Sequence, residues 1–216
     1  MKVAIVDYGR GNLASVANSL HYLGADYLIA QRPTDLETAG AVILPGVGAF
    51  DDAAKSLQAS GMAPALIQLA REGRRPFLGI CLGLQLLFDG SDEGREPGLG
   101  LLPGWVRRFP ENLCTPDGSR LKVPHMGWNT IDVNPLNPDE ILQDQSQVYF
   151  VHSYYADPAD PAVISARCNY GLPFCAALRQ GNLRAVQFHP EKSGATGLAI
   201  LQTFLREASS QESEGL

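Results

Sequence analysis

Residues 76–80 are a short apolar run that passes straight into Cys81, and Gly79 and Gly83 stand two positions to either side of that cysteine. A strand can turn into a helix this abruptly only where neighbouring backbone approaches closely, and glycine permits that approach because it has no Cβ to clash. The junction is a nucleophile elbow in form: it lifts Cys81 above the carboxyl end of a sheet, at the head of a stretch, 82–88, that is apolar at nearly every position and reads as a helix start. The first third of the chain supplies such a sheet by alternating strand-like and helix-like stretches, the pattern of parallel strands wrapped by helices. Strands are expected over 3–7, 27–30 and 41–44, and helices over 12–23, 51–59 and 63–72. Leu13, Val16, Ala17, Leu20 and Leu23 give the first helix its spacing.

From 99 to 186 the texture changes to short strands between Gly, Pro, Asn and Asp clusters, which suits antiparallel pairing. The expected strands are 106–109, 121–123, 129–133, 148–152, 162–168, 174–177 and 183–188, followed by a helix over 194–206 and a polar, frayed tail over 207–215. No repeat or linker divides the chain, so its 216 residues read as one domain, 1–216, with about 207–216 as tail.

Charge and composition exclude several kinds of partner. With 17 Lys plus Arg against 23 Asp plus Glu, the net charge of −6 offers no basic field for nucleic acid. No apolar run reaches membrane length, and the opening residues read as a strand rather than an export signal. The four cysteines, Cys81, Cys114, Cys168 and Cys175, form no Cys-x-x-Cys pair, so neither a metal site nor a disulfide framework is expected, and no cofactor. A reducing, cytoplasmic setting fits this usage.

At a helix start the free N–H groups and positive dipole end would favour a Cys81 thiolate and lend a donor to a developing oxyanion. The alternative is a buried structural cysteine, but the Gly-x-Cys-x-Gly frame after an apolar strand favours the nucleophile. Its base is to be sought among His21, His125, His152 and His189. His189 is preferred: it ends an apolar strand, Pro190 stops the ladder, and Glu191 can reach the other ring nitrogen to complete a triad. His152 also follows an apolar strand and is the second choice; His21 reads as a surface residue. Pro45-Gly46-Val47-Gly48-Ala49-Phe50 follows another apolar strand, so it shares the carboxyl edge with Cys81 and can turn a backbone N–H toward an oxyanion. It lacks the Walker lysine and the dinucleotide fingerprint.

These motifs resemble the class I (triad) glutamine amidotransferases over almost the whole chain. The elbow 79–85 matches the family's nucleophile motif, and Gln187-Phe188-His189-Pro190-Glu191-Lys192-Ser193 matches its base and acid motif. Within the family the resemblance is to glutaminases serving histidine biosynthesis. It is carried by Asp7-Tyr8-Gly9-Arg10-Gly11-Asn12, the 45–50 turn, Pro124-His125-Met126-Gly127-Trp128-Asn129 and Phe150-Val151-His152-Ser153-Tyr154-Tyr155. The resemblance implies a flavodoxin-like three-layer α/β fold with a mixed, mainly parallel central sheet and additional antiparallel strands in the second half. It implies that Cys81, His189 and Glu191 are catalytic, and that backbone N–H groups of Leu82 and of Val47 or Gly48 form the oxyanion hole. Gly46, Gly48, Gln85, Ser153 and Tyr154 would hold L-glutamine. It also implies a cyclase partner, a (β/α)8 barrel, docked in a heterodimer through Asn12, Trp128, Tyr149 and Lys192. Core packing remains the alternative for Trp128. The 45–48 turn would act as a switch, its peptide completing or breaking the oxyanion hole. The competing readings are a glutaminase for anthranilate, GMP or pyridoxal phosphate synthesis, a cysteine peptidase or chaperone-like relative, and a non-catalytic binding module.

Overall fold

The computed structural model describes the backbone of residues 1–214 and the side chains of residues 1–210. Among these residues a nine-stranded sheet runs in the order β2-β1-β3-β4-β12-β11-β10-β7-β8. The strands β1 (Lys2–Val6), β2 (Asp26–Ala30), β3 (Ala41–Gly46), β4 (Phe77–Cys81) and β12 (Leu183–Val186) are parallel. The strands β11 (Pro173–Gln180), β10 (Ile164–Asn169), β7 (His125–Val133) and β8 (Gln147–His152) continue the sheet from β12 in antiparallel pairs. The expected mixed sheet is therefore divided evenly, with β12 as the seam.

β3 and β4 are buried at every residue, as strands covered on both faces must be. One covering layer holds α1 (Leu13–Tyr22) and α5 (Gly194–Glu214), which pack Val16, Leu20, Ile200, Leu201 and Phe204 on the sheet. The other holds α2 (Phe50–Ala59), α3 (Met62–Glu72) and a three-stranded sheet of β5 (Gly90–Ser91), β6 (Gly104–Arg108) and β9 (Tyr154–Pro158). Each core is apolar because a helix stripe and a sheet face must both leave water. Among the described residues no helix is long and apolar enough to cross a membrane.

Some expectations are corrected. Helix α4 covers only Leu82–Gln85, while Leu86, Leu87 and Phe88 are fully buried beyond it. Uniform apolarity there signals burial, not helix length. Residues 121–123 form no strand; the nearby backbone makes only the isolated bridge between Cys114 and Arg120. β5 and β9 were not anticipated, and a 3-10 turn over Pro161–Val163 delays β10 to Ile164. The closing helix does not fray at residue 207: it runs on to Glu214, with Ala208 buried and Glu207 paired to Arg184 at 2.5 Å. Gly215 and Leu216, at the end of the expected tail, lie outside the described residues.

Candidate active site

Because β3, β4 and β12 are adjacent and parallel, Gly46, Cys81 and the chain following Val186 emerge on one sheet edge. There Cys81 adopts φ 54° and ψ −106° and caps α4. A non-glycine residue held there costs about 1–3 kcal/mol, sustained only where the surroundings impose it. They do so here. A Cβ on Gly83 would collide with the Leu44 carbonyl oxygen, one on Gly79 would lie 2.9 Å from the Gly83 carbonyl, and one on Gly46 would lie 2.6 Å from the Tyr8 hydroxyl. The Tyr8 hydroxyl donates to the Pro45 carbonyl at 3.1 Å. Burial, and then Cys81, push the Tyr8 phenol up, so it remains a donor.

His189 follows β12 by three residues, and Pro190 opens a 3-10 turn over Pro190–Lys192 that folds Glu191 back beneath the ring. His189 Nδ1 lies 2.7 Å from Glu191 Oε1, with both side chains buried. The turn is stitched to β8: the His189 N–H donates to the Tyr149 carbonyl at 2.9 Å, the Tyr149 N–H to Ser193 Oγ at 3.0 Å, and Ser193 Oγ to the His189 carbonyl at 2.6 Å. His189 Nε2 is buried without a hydrogen bond. Burial alone would lower this imidazole's pKa, but interaction with Cys81 and Glu191 outweighs it and holds the value at about 9. A protonated ring beside Cys81, with its second nitrogen uncommitted, is equipped to hand a proton to a leaving group.

Cys81, Leu82, Val47, Gly48 and His189 line a cleft of about 540 Å³ together with Gln85, Ser153 and Tyr154. Glu191 and Gly46 are not among the residues that line it. Gln85 Nε2 donates to the Tyr154 carbonyl at 3.0 Å and to Gln187 Oε1 at 3.1 Å, and Gln187 Nε2 donates to Cys81 Sγ at 3.6 Å. Both Gln85 amide hydrogens are thus used, leaving its oxygen, an acceptor suited to an ammonium group. Gln187 and Glu93, whose Oε2 accepts the Phe50 N–H at 2.8 Å at the cleft wall, were given no role from sequence. Gln187 lay inside the quoted His189 motif, whereas Glu93 carries no local pattern.

Of the remaining residues singled out, Asn12 and Lys192 stand on the cleft, and Trp128 packs edge-on to Tyr149 at 6.1 Å beside the His189 turn. Trp128 is 55% exposed, which removes core packing as its role; Met126, two residues earlier on the same strand, is 62% exposed and was not singled out. His21 is exposed. His152 lines the cleft, but both ring nitrogens are engaged, so it does not share the geometry of His189. Cys168 and Cys175 are buried and pushed up to about 12 by burial, and Cys114 is exposed.

The family model described as "Glutamine amidotransferase class-I" matches residues 4–208. The chain is 47% identical to "Imidazole glycerol phosphate synthase subunit HisH" of Geobacter sulfurreducens, over 94% of this chain and 97% of that protein. It is 49% identical to the protein of the same description from Gloeobacter violaceus, over 97% and 91%. It is also 49% identical to "Imidazole glycerol phosphate synthase hisHF, chloroplastic" of Arabidopsis thaliana, over 94% of this chain and 34% of that protein. Among solved structures, "Structure of PurLQS from Thermotoga maritima" superposes with a TM-score of 0.73 at 18% identity, over 95% of this chain and 98% of that one. "Crystal structure of glutamine amidotransferase" does so at 0.72 and 22%, over 95% and 98%. At these identities the structures speak for the fold.

Proposed function

We propose a specific task for this chain, which belongs to the class-I glutamine amidotransferases: as a single domain it is the glutaminase subunit of imidazole glycerol phosphate synthase in L-histidine biosynthesis. The observation that carries the reading is the buried His189–Glu191 pair at 2.7 Å, with Nε2 uncommitted, sharing a cleft with Cys81 on its strained elbow.

Cys81 attacks the side-chain carboxamide of glutamine. The N–H of Leu82 and that of Val47 or Gly48 receive the oxyanion, and His189, oriented by Glu191, protonates the departing ammonia. The resulting thioester is hydrolysed by water that His189 activates, releasing glutamate. The Gln85 oxygen and the backbone at Gly46, Gly48, Ser153 and Tyr154 hold the amino-acid end of the substrate. No metal or cofactor takes part.

Ammonia loses its nucleophilicity once protonated in neutral water, so this chemistry calls for a docked second site. That site is the cyclase subunit of imidazole glycerol phosphate synthase, a (β/α)8 barrel that forms imidazole glycerol phosphate and AICAR in a cytoplasmic heterodimer. Asn12, Trp128, Tyr149 and Lys192 face it, with the exposed Met126 extending the apolar part of that surface. The 45–48 turn gates the reaction through the orientation of its peptide.

Glutamate release is measured for the purified chain alone and with the cyclase subunit and its nucleotide ligand. The expected result is a low rate alone, a large rise in the liganded complex, and a loss of at least about 10³-fold in Cys81→Ala. A rate indifferent to the cyclase and its ligand would move the chain to another synthase and remove the gate. Activity surviving in Cys81→Ala would overturn the mechanism.

A further inference from the structure

His152 ends β8 in the large sheet, and Tyr154 begins β9 in the small one, so the single residue Ser153 carries the chain across. Both peptide planes beside Tyr154 are pinned there. The Ser153 carbonyl accepts the Phe109 N–H at 3.0 Å, and the Tyr154 carbonyl accepts His152 Nδ1 at 2.8 Å and Gln85 Nε2 at 3.0 Å. With both lone pairs of the Tyr154 oxygen occupied, the backbone around Tyr154 has one orientation available to it.

The polarity behind this clamp is determined by which groups can donate. A carbonyl only accepts, so His152 Nδ1 carries the proton and Nε2 must accept, as it does from His125 Nδ1 at 3.1 Å. His125 Nε2 is then an acceptor for Asn129 Nδ2 at 3.3 Å, and the second hydrogen of that amide goes to the Asn169 carbonyl at 3.0 Å. Asn129 Oδ1 accepts the Thr130 N–H at 2.8 Å, which fixes the amide's direction. His125 is itself held between Tyr170 and Phe150, both nearly parallel to it, at 4.0 and 4.8 Å. A second proton on either ring would set donor against donor, and burial independently drives His152 down to about 3 and His125 to about 4.

We propose that His152 is a positioning residue for the amino-acid end of glutamine: its Nδ1–H, directed by His125 and Asn129, clamps the Tyr154 carbonyl and so sets the 153–154 ledge of the cleft. The proposal rests on the glutaminase reading above. It gives His152 a part in substrate affinity, separate from proton transfer at Cys81.

The test uses the chain–cyclase complex with His152→Leu, His152→Asn and His125→Phe. Asparagine can place an amide N–H near the position of Nδ1, leucine cannot, and phenylalanine at 125 keeps the stacking while removing the donor to His152. Expected are a KM for glutamine raised about tenfold in His152→Leu, with kcat within about threefold of wild type, and a KM near wild type in His152→Asn. His125→Phe should show a smaller KM rise of the same kind. Alkylation of Cys81 by iodoacetamide, followed by peptide mass, reports the thiol without any amino-acid end and should be unchanged in all three. An unchanged KM in His152→Leu, or kcat and alkylation falling together with KM, would overturn the proposal. If His152→Leu does not fold, an unchanged KM in His125→Phe does the same. A wild-type complex that releases no glutamate would instead overturn the glutaminase reading, and this proposal with it.

Discussion

His189 keeps its proton through a contest between burial, which opposes the charge, and two neighbours, Cys81 and Glu191, which together prevail. Its folded pKa of about 9 stands above the ordinary 6.5, so the stabilisation it supplies is complete below 6.5 and is lost as pH rises through 9. The denaturation midpoint of the wild type should therefore exceed that of His189→Asn by a margin that shrinks from pH 6.5 to 9; a flat margin would show that the charge is not held there. His189 and His152 send the same signal in sequence, a histidine ending an apolar strand, and only Pro190 and Glu191 separated them. The part of His152 was illegible because its partners, His125 and Asn129, become neighbours only when β7 pairs with β8. Gln187 and Glu93 were equally silent, since Cys81 and Phe50, which they meet, lie 106 and 43 residues away in sequence.

Elements of the parallel half were legible because their burial on two faces writes continuous apolar runs, as in β1, β3 and β4. β9 was not, because it follows β8 after one residue and the change of sheet leaves no turn signal. The elbow between β4 and α4 depends on glycines for space rather than for flexibility. Gly83→Ala must displace the Leu44 carbonyl, which is part of β3, and should cost about 1–3 kcal/mol in chemical denaturation. Gly48, with φ +98° and no atom within 4 Å of a built Cβ, pays only in backbone strain. Destabilisation by Gly83→Ala no greater than at an exposed site would show that the elbow and β3 are not in close register.

Across the whole molecule, a single buried guanidinium ties distant parts together. Arg184 in β12 meets Asp139, between β7 and β8, at 2.9 Å, and Glu207 in α5 at 2.5 Å. Burial pushes the Asp139 carboxyl up, and Arg184 opposes that shift. Arg184→Met should cost about 3–5 kcal/mol by leaving a buried carboxylate uncompensated, and adding Asp139→Leu should recover much of the loss. Equal destabilisation of the single and double variants would mean that packing, not charge, dominates. The position of β12 also sets a timetable. β1 to β4 can pair once residue 81 has been made, but β12, which leads to His189 beside β4's open edge, is synthesised only after β5 to β11. A chain whose synthesis has reached only residue 81 thus bears Cys81 without His189, and the two can share one cleft only after β5 to β12 have followed.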